Sequence, residues 1–339
     1  MLCCYPLYSQ ESEASGGPSL TVVSRLEGNP VISLNSKGDN DFSMGWSSLY
    51  TIFEGDLNDH LSYSVINHWL STSPEDLYKN TFRSDDINWV DKALLTYTTN
   101  GPLSFSLGKD MYAMGTFELD AYDFDTYLPT ASVFWNNSTV YQWGGSVSYT
   151  PNEDHTLTFQ VTSSPFSEKP FQNGLLTYNL YWNGQVGPWH AIYSTNLMEY
   201  DRGNFIHVLA LGNQFELGDW TLTLDYVNKA SSASHFFDRD MSLLMGVNYN
   251  IRDQWELFLK GGYEFVHHGF DNLGDGYFWE LDGGTPTGIS KDYGFIGGGV
   301  TCYPLKNSQD LRLHGVVSFN NYSHAMQVSV GATYYWQLL

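Results

Sequence analysis

The chain ends in AMQVSVGATYYWQLL, residues 325–339, and the period of this stretch decides the fold. Met326, Val328, Val330, Ala332, Tyr334, Trp336 and Leu338 fall on one face of an extended strand. Gln327, Ser329, Gly331, Thr333, Tyr335 and Gln337 fall on the other. Successive side chains of a strand point to opposite faces. One face therefore suits an apolar surrounding and the other suits water.

The same alternation recurs upstream. Leu311, Leu313, Gly315, Val317 and Phe319 alternate with Arg312, His314, Val316, Ser318 and Asn320. Trp255, Leu257, Leu259, Gly261, Tyr263 and Phe265 alternate with Glu256, Phe258, Lys260, Gly262 and Glu264. Trp220, Leu222, Leu224 and Tyr226 alternate with Thr221, Thr223 and Asp225, and Leu103, Phe105 and Leu107 with Ser104, Ser106 and Gly108. Similar runs begin at Tyr141 and Leu176. In several of them the aromatic rings sit at the ends of the apolar face and aliphatic residues at its centre. Interfacial girdles of a membrane barrel have this pattern, whereas a soluble sandwich places its large rings in the deepest core.

Turn-forming clusters separate the runs and fall into two classes. Short turns are expected at Asp56–Asp59, Asn100-Gly101, Pro151–Asp154, Asn183–Pro188, Gly218-Asp219, Arg252-Asp253 and Lys306–Asp310, rich in Asn, Asp and Gly. Long connections are expected at Gly28–Asp41, Thr72–Ile87, Met111–Ser138, Ser164–Asn173, Met198–Arg202, Asn228–Asp240 and His267–Ser290, with a last short one around Tyr322 and Ser323. Short and long connections alternate. This asymmetry belongs to a transmembrane antiparallel β-barrel of about sixteen strands, with short periplasmic turns and long extracellular loops. The first strand, near Ser19–Glu27, closes against the last. Closure follows from physics, because every backbone N–H and C=O in hydrocarbon needs a partner and only a closed sheet has no edge.

Composition agrees. Aromatic residues make up 16% of the 339 residues, yet mean hydropathy is −0.29. No run of about 20 apolar residues exists to form a membrane helix. Membrane residence with polar average hydropathy requires alternating strands around a wet lumen. The net charge of −22 argues against nucleic acid as a partner, since phosphate backbones call for clustered Lys and Arg. The three cysteines, Cys3, Cys4 and Cys302, form neither a disulfide framework nor a metal site. Residues 1–18 read as a signal-peptide remnant with a flexible lead-in, and residues 19–339 as a single barrel domain.

On these features the chain resembles the trimeric porins of Gram-negative outer membranes, and within them the porin O and P type, the phosphate-selective porins. The residues that carry the resemblance are LSFSLGKDMYAMGTFELDAYDF, Leu103 to Phe124, and the C-terminal QVSVGATYYWQLL. The resemblance implies a homotrimer in the outer membrane, in contact with lipid and lipopolysaccharide, passing small hydrophilic solutes or ions. It also implies that the long third loop after Gly108-Lys109 folds into the pore. The phosphate-selective members line their constriction with Arg and Lys. Here no Lys or Arg stands between Met111 and Ser138.

The third loop offers the candidate constriction: Glu118, Asp120, Asp123 and Asp125, interleaved with Phe117, Tyr122 and Phe124. A barrel of this size is too wide for wall side chains to fill, so selection needs an inward loop. An acidic one draws cations. Candidate wall residues are Lys92, Lys109, Glu256, Lys260, Glu264 and Arg312, with Lys260 and Arg312 on expected lumen faces. Each wall cation could equally be satisfied by a neighbouring carboxylate such as Glu256 or Glu264. In the seventh loop Asp271, Asp275 and Asp282 lack EF-hand spacing, and no metal or cofactor is assigned. No strained nucleophile motif appears, so no catalytic residue is assigned and the chain is not expected to be an enzyme. The expected function is a weakly cation-preferring diffusion channel. The alternative is a barrel serving as an adhesin or assembly subunit without an open channel.

Overall fold

The computed structural model describes residues 18–35, 40–43, 48–71, 90–120, 132, 141–167, 174–230, 233–237, 240–252, 254–265, 292–306, 308–321 and 325–339. Eighteen hydrogen-bonded segments lie in one antiparallel sheet. They make sixteen strands, because the first two strands are each in two pieces. β1 comprises Thr21–Gly28 and Val31–Asn35, and both pieces pair with the last strand. Asn29-Pro30 interrupts it, where proline has no N–H to give to a ladder. β2 comprises Asp41–Ser43 and Ser48–Asn58.

The remaining strands are β3 Leu61–Ser71, β4 Val90–Thr98, β5 Leu103–Met111, β6 Tyr141–Asn152, β7 His155–Ser163 and β8 Leu176–Val186. They continue with β9 Trp189–Asp201, β10 Asn204–Leu217, β11 Trp220–Ala230 and β12 Met241–Asn250. β13 Trp255–Phe265, β14 Tyr293–Cys302, β15 Leu311–Asn320 and β16 Ala325–Gln337 complete the ring. Each strand pairs with its neighbours in sequence, and β1 pairs with β16, so the sheet closes. A short helix, α1 Phe117–Asp120, follows β5.

The alternation read from the sequence separates the two faces of this wall. Leu103, Phe105 and Leu107 on β5, Leu257 and Leu259 on β13, and Val317 and Phe319 on β15 are exposed on the outside. Aromatic pairs gather toward the strand ends: Trp220 on Tyr249 at 4.3 Å, Trp182 by Tyr193 at 5.4 Å and Tyr334 on Trp336 at 5.6 Å. Polar residues such as Asn179, Asn196, Asp225, Arg312 and Thr333 face inward and are buried.

Two expectations about connections are corrected. Met198–Arg202 is not a long connection: β9 runs to Asp201 and β10 starts at Asn204, leaving Arg202-Gly203 as a tight turn. Gly203 has φ +79°, a left-handed conformation that suits glycine. The segment Gly28–Asp41 is not one long connection, because β1 continues over Val31–Asn35. Residues 1–17, which hold nearly all of the expected leader, and most of the seventh loop lie outside the described residues.

Candidate functional site: the inward third loop

The chain leaves β5 at Met111 and turns into the barrel. Its backbone is held by inward side chains of successive strands. Gln160 of β7 accepts from the Ala113 amide at 2.7 Å and donates to the Met111 carbonyl at 3.1 Å. Asn196 of β9 donates to the Ala113 carbonyl at 2.7 Å, and Ser194 accepts from the Gly115 amide at 2.9 Å. Asn179 of β8 ties these wall residues together, donating to Gln160 and accepting from Asn196.

The segment then reaches Asp225 on β11. This buried carboxylate accepts from the Thr116 hydroxyl at 2.8 Å, the Phe117 amide at 3.0 Å and the Glu118 amide at 2.9 Å. It thus takes up two amides at the start of α1 that have no partner within the helix, the role of a capping side chain supplied from the wall.

Apolar contact adds to this docking. Tyr112, Met114 and Leu119 from the loop pack on Met198, Ile206, Val208, Ala210 and Val227 of β9–β11, all buried. Burying each such side chain contributes roughly 1.5–3 kcal/mol, beside about 1 kcal/mol net for a neutral hydrogen bond and about 1.5–3 kcal/mol for one to a charged group. Burial and polar contacts thus contribute comparably, and the hydrogen bonds also set where along the wall the loop sits. Two glycines permit the close crossing. A Cβ on Gly115 would lie 2.5 Å from the Ser194 nitrogen and 2.6 Å from the Tyr193 carbonyl carbon. On the wall, a Cβ on Gly212 would lie 2.8 Å from Ile192 and 2.9 Å from the Asp225 carboxylate.

Of the expected constriction residues, Glu118 is buried in α1 and accepts from Lys260 of β13 at 2.7 Å and from the Ser132 amide at 2.9 Å. Lys260 is thus on the lumen face, but its carboxylate partner comes from the loop, not from Glu256 or Glu264. Asp120 ends α1, and its side chain lies outside the described residues, as do Asp123 and Asp125 entirely.

The other wall residues are spread around the ring. Lys92 lies on the inner face of β4, 3.8 Å from Asp110. Glu256 accepts from Asn248 at 2.7 Å near the short-turn end of β13. Glu264 is buried near the opposite end of β13, close to the buried Lys229. Arg312 is buried beside His314 on β15. Lys109 is not a pore-wall residue. The register pairs it with Ala93 and Trp143 on the outer face, and its ammonium donates to the Val90 carbonyl at 2.6 Å.

Sequence reading missed the anchors of the loop and one wall cation. Asp225 was visible as an inward residue, but its partners are more than 100 positions away. Arg25 on β1 pairs with Glu27 at 2.8 Å and lies between the rings of Tyr50 and Tyr335, at 5.8 and 5.4 Å. β1 stands eight strands from β9 in a ring of sixteen, so Arg25 is on the wall opposite the docked loop. A usable signal did exist for the landing site. The stretch FIHVLALG, Phe205–Gly212, is apolar on both faces, which a strand lining bare water would not be.

No protein-family model and no curated protein sequence matches the chain. Solved structures do. OmpF of Salmonella typhi, in complex with daunomycin, matches with a TM-score of 0.63 at 12% identity, over 94% of this chain and 98% of that one. An anion-selective porin from Comamonas acidovorans gives 0.62 at 13% identity, over 94% of this chain and all (100%) of that one. In-vitro folded OmpT in its trimer form, an outer membrane protein of Vibrio cholerae, gives 0.59 at 14% identity over 94% and 100%. At such identities the likeness is one of fold. Together with the closed ring and the apolar outer face, it makes this chain a transmembrane β-barrel of the bacterial outer-membrane type.

Proposed function

We propose that the protein is a channel of the bacterial outer membrane through which small hydrophilic solutes or ions diffuse passively, narrowed by its third loop. The observation that carries this reading is the docking of residues 112–119 on the inner wall from β7 to β13. A sixteen-stranded ring is wide enough to hold an aqueous path, and a loop fixed across one side reduces that path without closing it. Such a channel performs no bond chemistry, so no catalytic group is invoked.

Weak cation preference is the finer part of the proposal. Glu118 is neutralised by Lys260. The preference then rests on Asp120, Asp123 and Asp125, within a chain of net charge −22. The likeness to phosphate-selective porins is taken as architecture, because the loop has no Lys or Arg between Met111 and Ser138. Wall cations outside the docked arc include Arg25 on the opposite wall, which is paired with Glu27, and Arg312 on β15, two strands from Lys260. A homotrimer in contact with lipopolysaccharide, and a leader over residues 1–18, complete the reading.

The test is the reversal potential of the refolded protein in a planar bilayer under a salt gradient. A cation-directed potential that falls in the variant with Asp120, Asp123 and Asp125 all changed to Asn supports the acidic filter. An anion-directed potential would move the filter to the wall cations. A folded barrel without conductance would favour the assembly role.

A further inference from the structure

Loop 6, between β11 and β12, turns the other way. Its described residues, 233–237 and 240, contain a 3-10 turn, Ala233–His235, followed by Phe236 and Phe237. Both rings lie on the outside of the wall. Phe236 contacts His207 of β10 at 6.4 Å, and Phe237 stacks on Tyr226 of β11 at 5.4 Å with an interplanar angle of 22°. Tyr226 and His207 share the outward parity of Leu224 and Leu209, so the loop lies over the apolar outer face at the long-loop rim. Phe237 is 71% exposed, more than any other large apolar side chain among the described residues.

A single exposed apolar residue is ordinary, but three features set this one apart. It is continuous with the outer apolar face below it, through Tyr226 to Leu224. It belongs to a row of outward rings that continues sideways through Phe205 and Tyr178, which lie 6.4 Å apart. Finally, the Phe236 carbonyl, outside any strand, accepts from the Tyr226 hydroxyl. A backbone group placed against lipid needs such an internal partner, whereas one in water does not.

We propose that loop 6 is an outward-turned lipid anchor, with Phe236 and Phe237 seated in the interfacial layer of the bilayer and the acyl-chain boundary as their partner. Aromatic rings at this depth fix the height of a barrel in its membrane. The inference rests on the reading of the barrel as membrane-spanning.

The test is nitroxide labelling of the full chain with its three native cysteines changed to Ser, in phospholipid vesicles. Single cysteines are placed by Phe237→Cys, by Leu224→Cys on the outer face, and by Arg202→Cys in the tight turn of loop 5. Accessibility to oxygen is compared with that to a water-soluble nickel chelate. The expected oxygen-to-nickel ratio at Phe237 is several-fold above that at Arg202 and below that at Leu224. A ratio at Phe237 equal to that at Arg202 would overturn the anchor. So would exclusion of both reagents with dipolar broadening between labels, which would make a second copy of this chain the occupant. A water-like ratio at Leu224 as well would show that the membrane reading itself had failed.

Discussion

Loop 3 and loop 6 begin at the same rim of the barrel and meet the same stretch of wall from opposite sides. Loop 3 lies inside, with Tyr112, Met114 and Leu119 on Ile206, Val208, Ala210 and Val227. Loop 6 lies outside, with Phe236 and Phe237 on His207 and Tyr226. Consecutive residues of β10 and β11 thus serve two loops in alternation. The difference lies in the polar anchor. Inside, Asp225, Gln160, Ser194 and Asn196 give the loop backbone a ladder of partners. Outside, the Tyr226 hydroxyl holds the Phe236 carbonyl. The inward loop meets polar side chains of the lumen wall, and the outward one meets aromatic rings of the outer face.

The comparison can be broken most severely at the crossing glycine. Gly115→Val puts side-chain atoms where even a Cβ meets backbone at 2.5 Å, a clash worth about 1–3 kcal/mol or more. The crossing at residue 115 should shift off the wall, and single-channel conductance should rise. Next is Asp225→Ala, which strands three donors. Bonds to a charged group are worth about 1.5–3 kcal/mol each but do not add, so a loss of about 3 kcal/mol is expected, seen as a lower unfolding midpoint in denaturant and noisier open-channel current.

Lys260→Met removes the partner of the buried Glu118. Its expected effect is a shift of the reversal potential toward cations, with conductance changed by less than in Gly115→Val. An unmoved potential would mean that permeating ions do not feel this carboxylate. The smallest effect is expected for Tyr226→Phe in the loop 6 contact. It deletes one hydroxyl, worth about 1 kcal/mol, and should leave conductance and selectivity unchanged while raising hydrogen exchange at residues 233–237. A conductance change there would contradict the separation of the two loops.

Much of this architecture was legible because a period of two is a local property. The faces of β13 and β15, and with them the inward placement of Glu256, Lys260, Glu264 and Arg312, follow from counting along the chain. The same count places Lys109 outward, in phase with Leu103, Phe105 and Leu107. Its expectation as a wall cation went against that parity. The turn at Arg202-Gly203 was hidden because Glu199, Asp201 and Arg202 read as a solvated loop, whereas the Glu199 carboxylate accepts from the Leu176 and Gly203 amides. The partners of Asp225 and Lys260 could not be read at all. Those pairs, Thr116 with Asp225 and Glu118 with Lys260, are set by where a loop lands, which depends on barrel curvature and not on spacing.

The central claim is that a docked third loop narrows an open lumen. Single-channel conductance of the refolded full chain in a planar bilayer, recorded beside Gly115→Val, tests it most directly. The account predicts discrete openings for the unaltered protein and larger ones for the variant. Openings of equal size in both, or silence in both from correctly folded barrels, would contradict it.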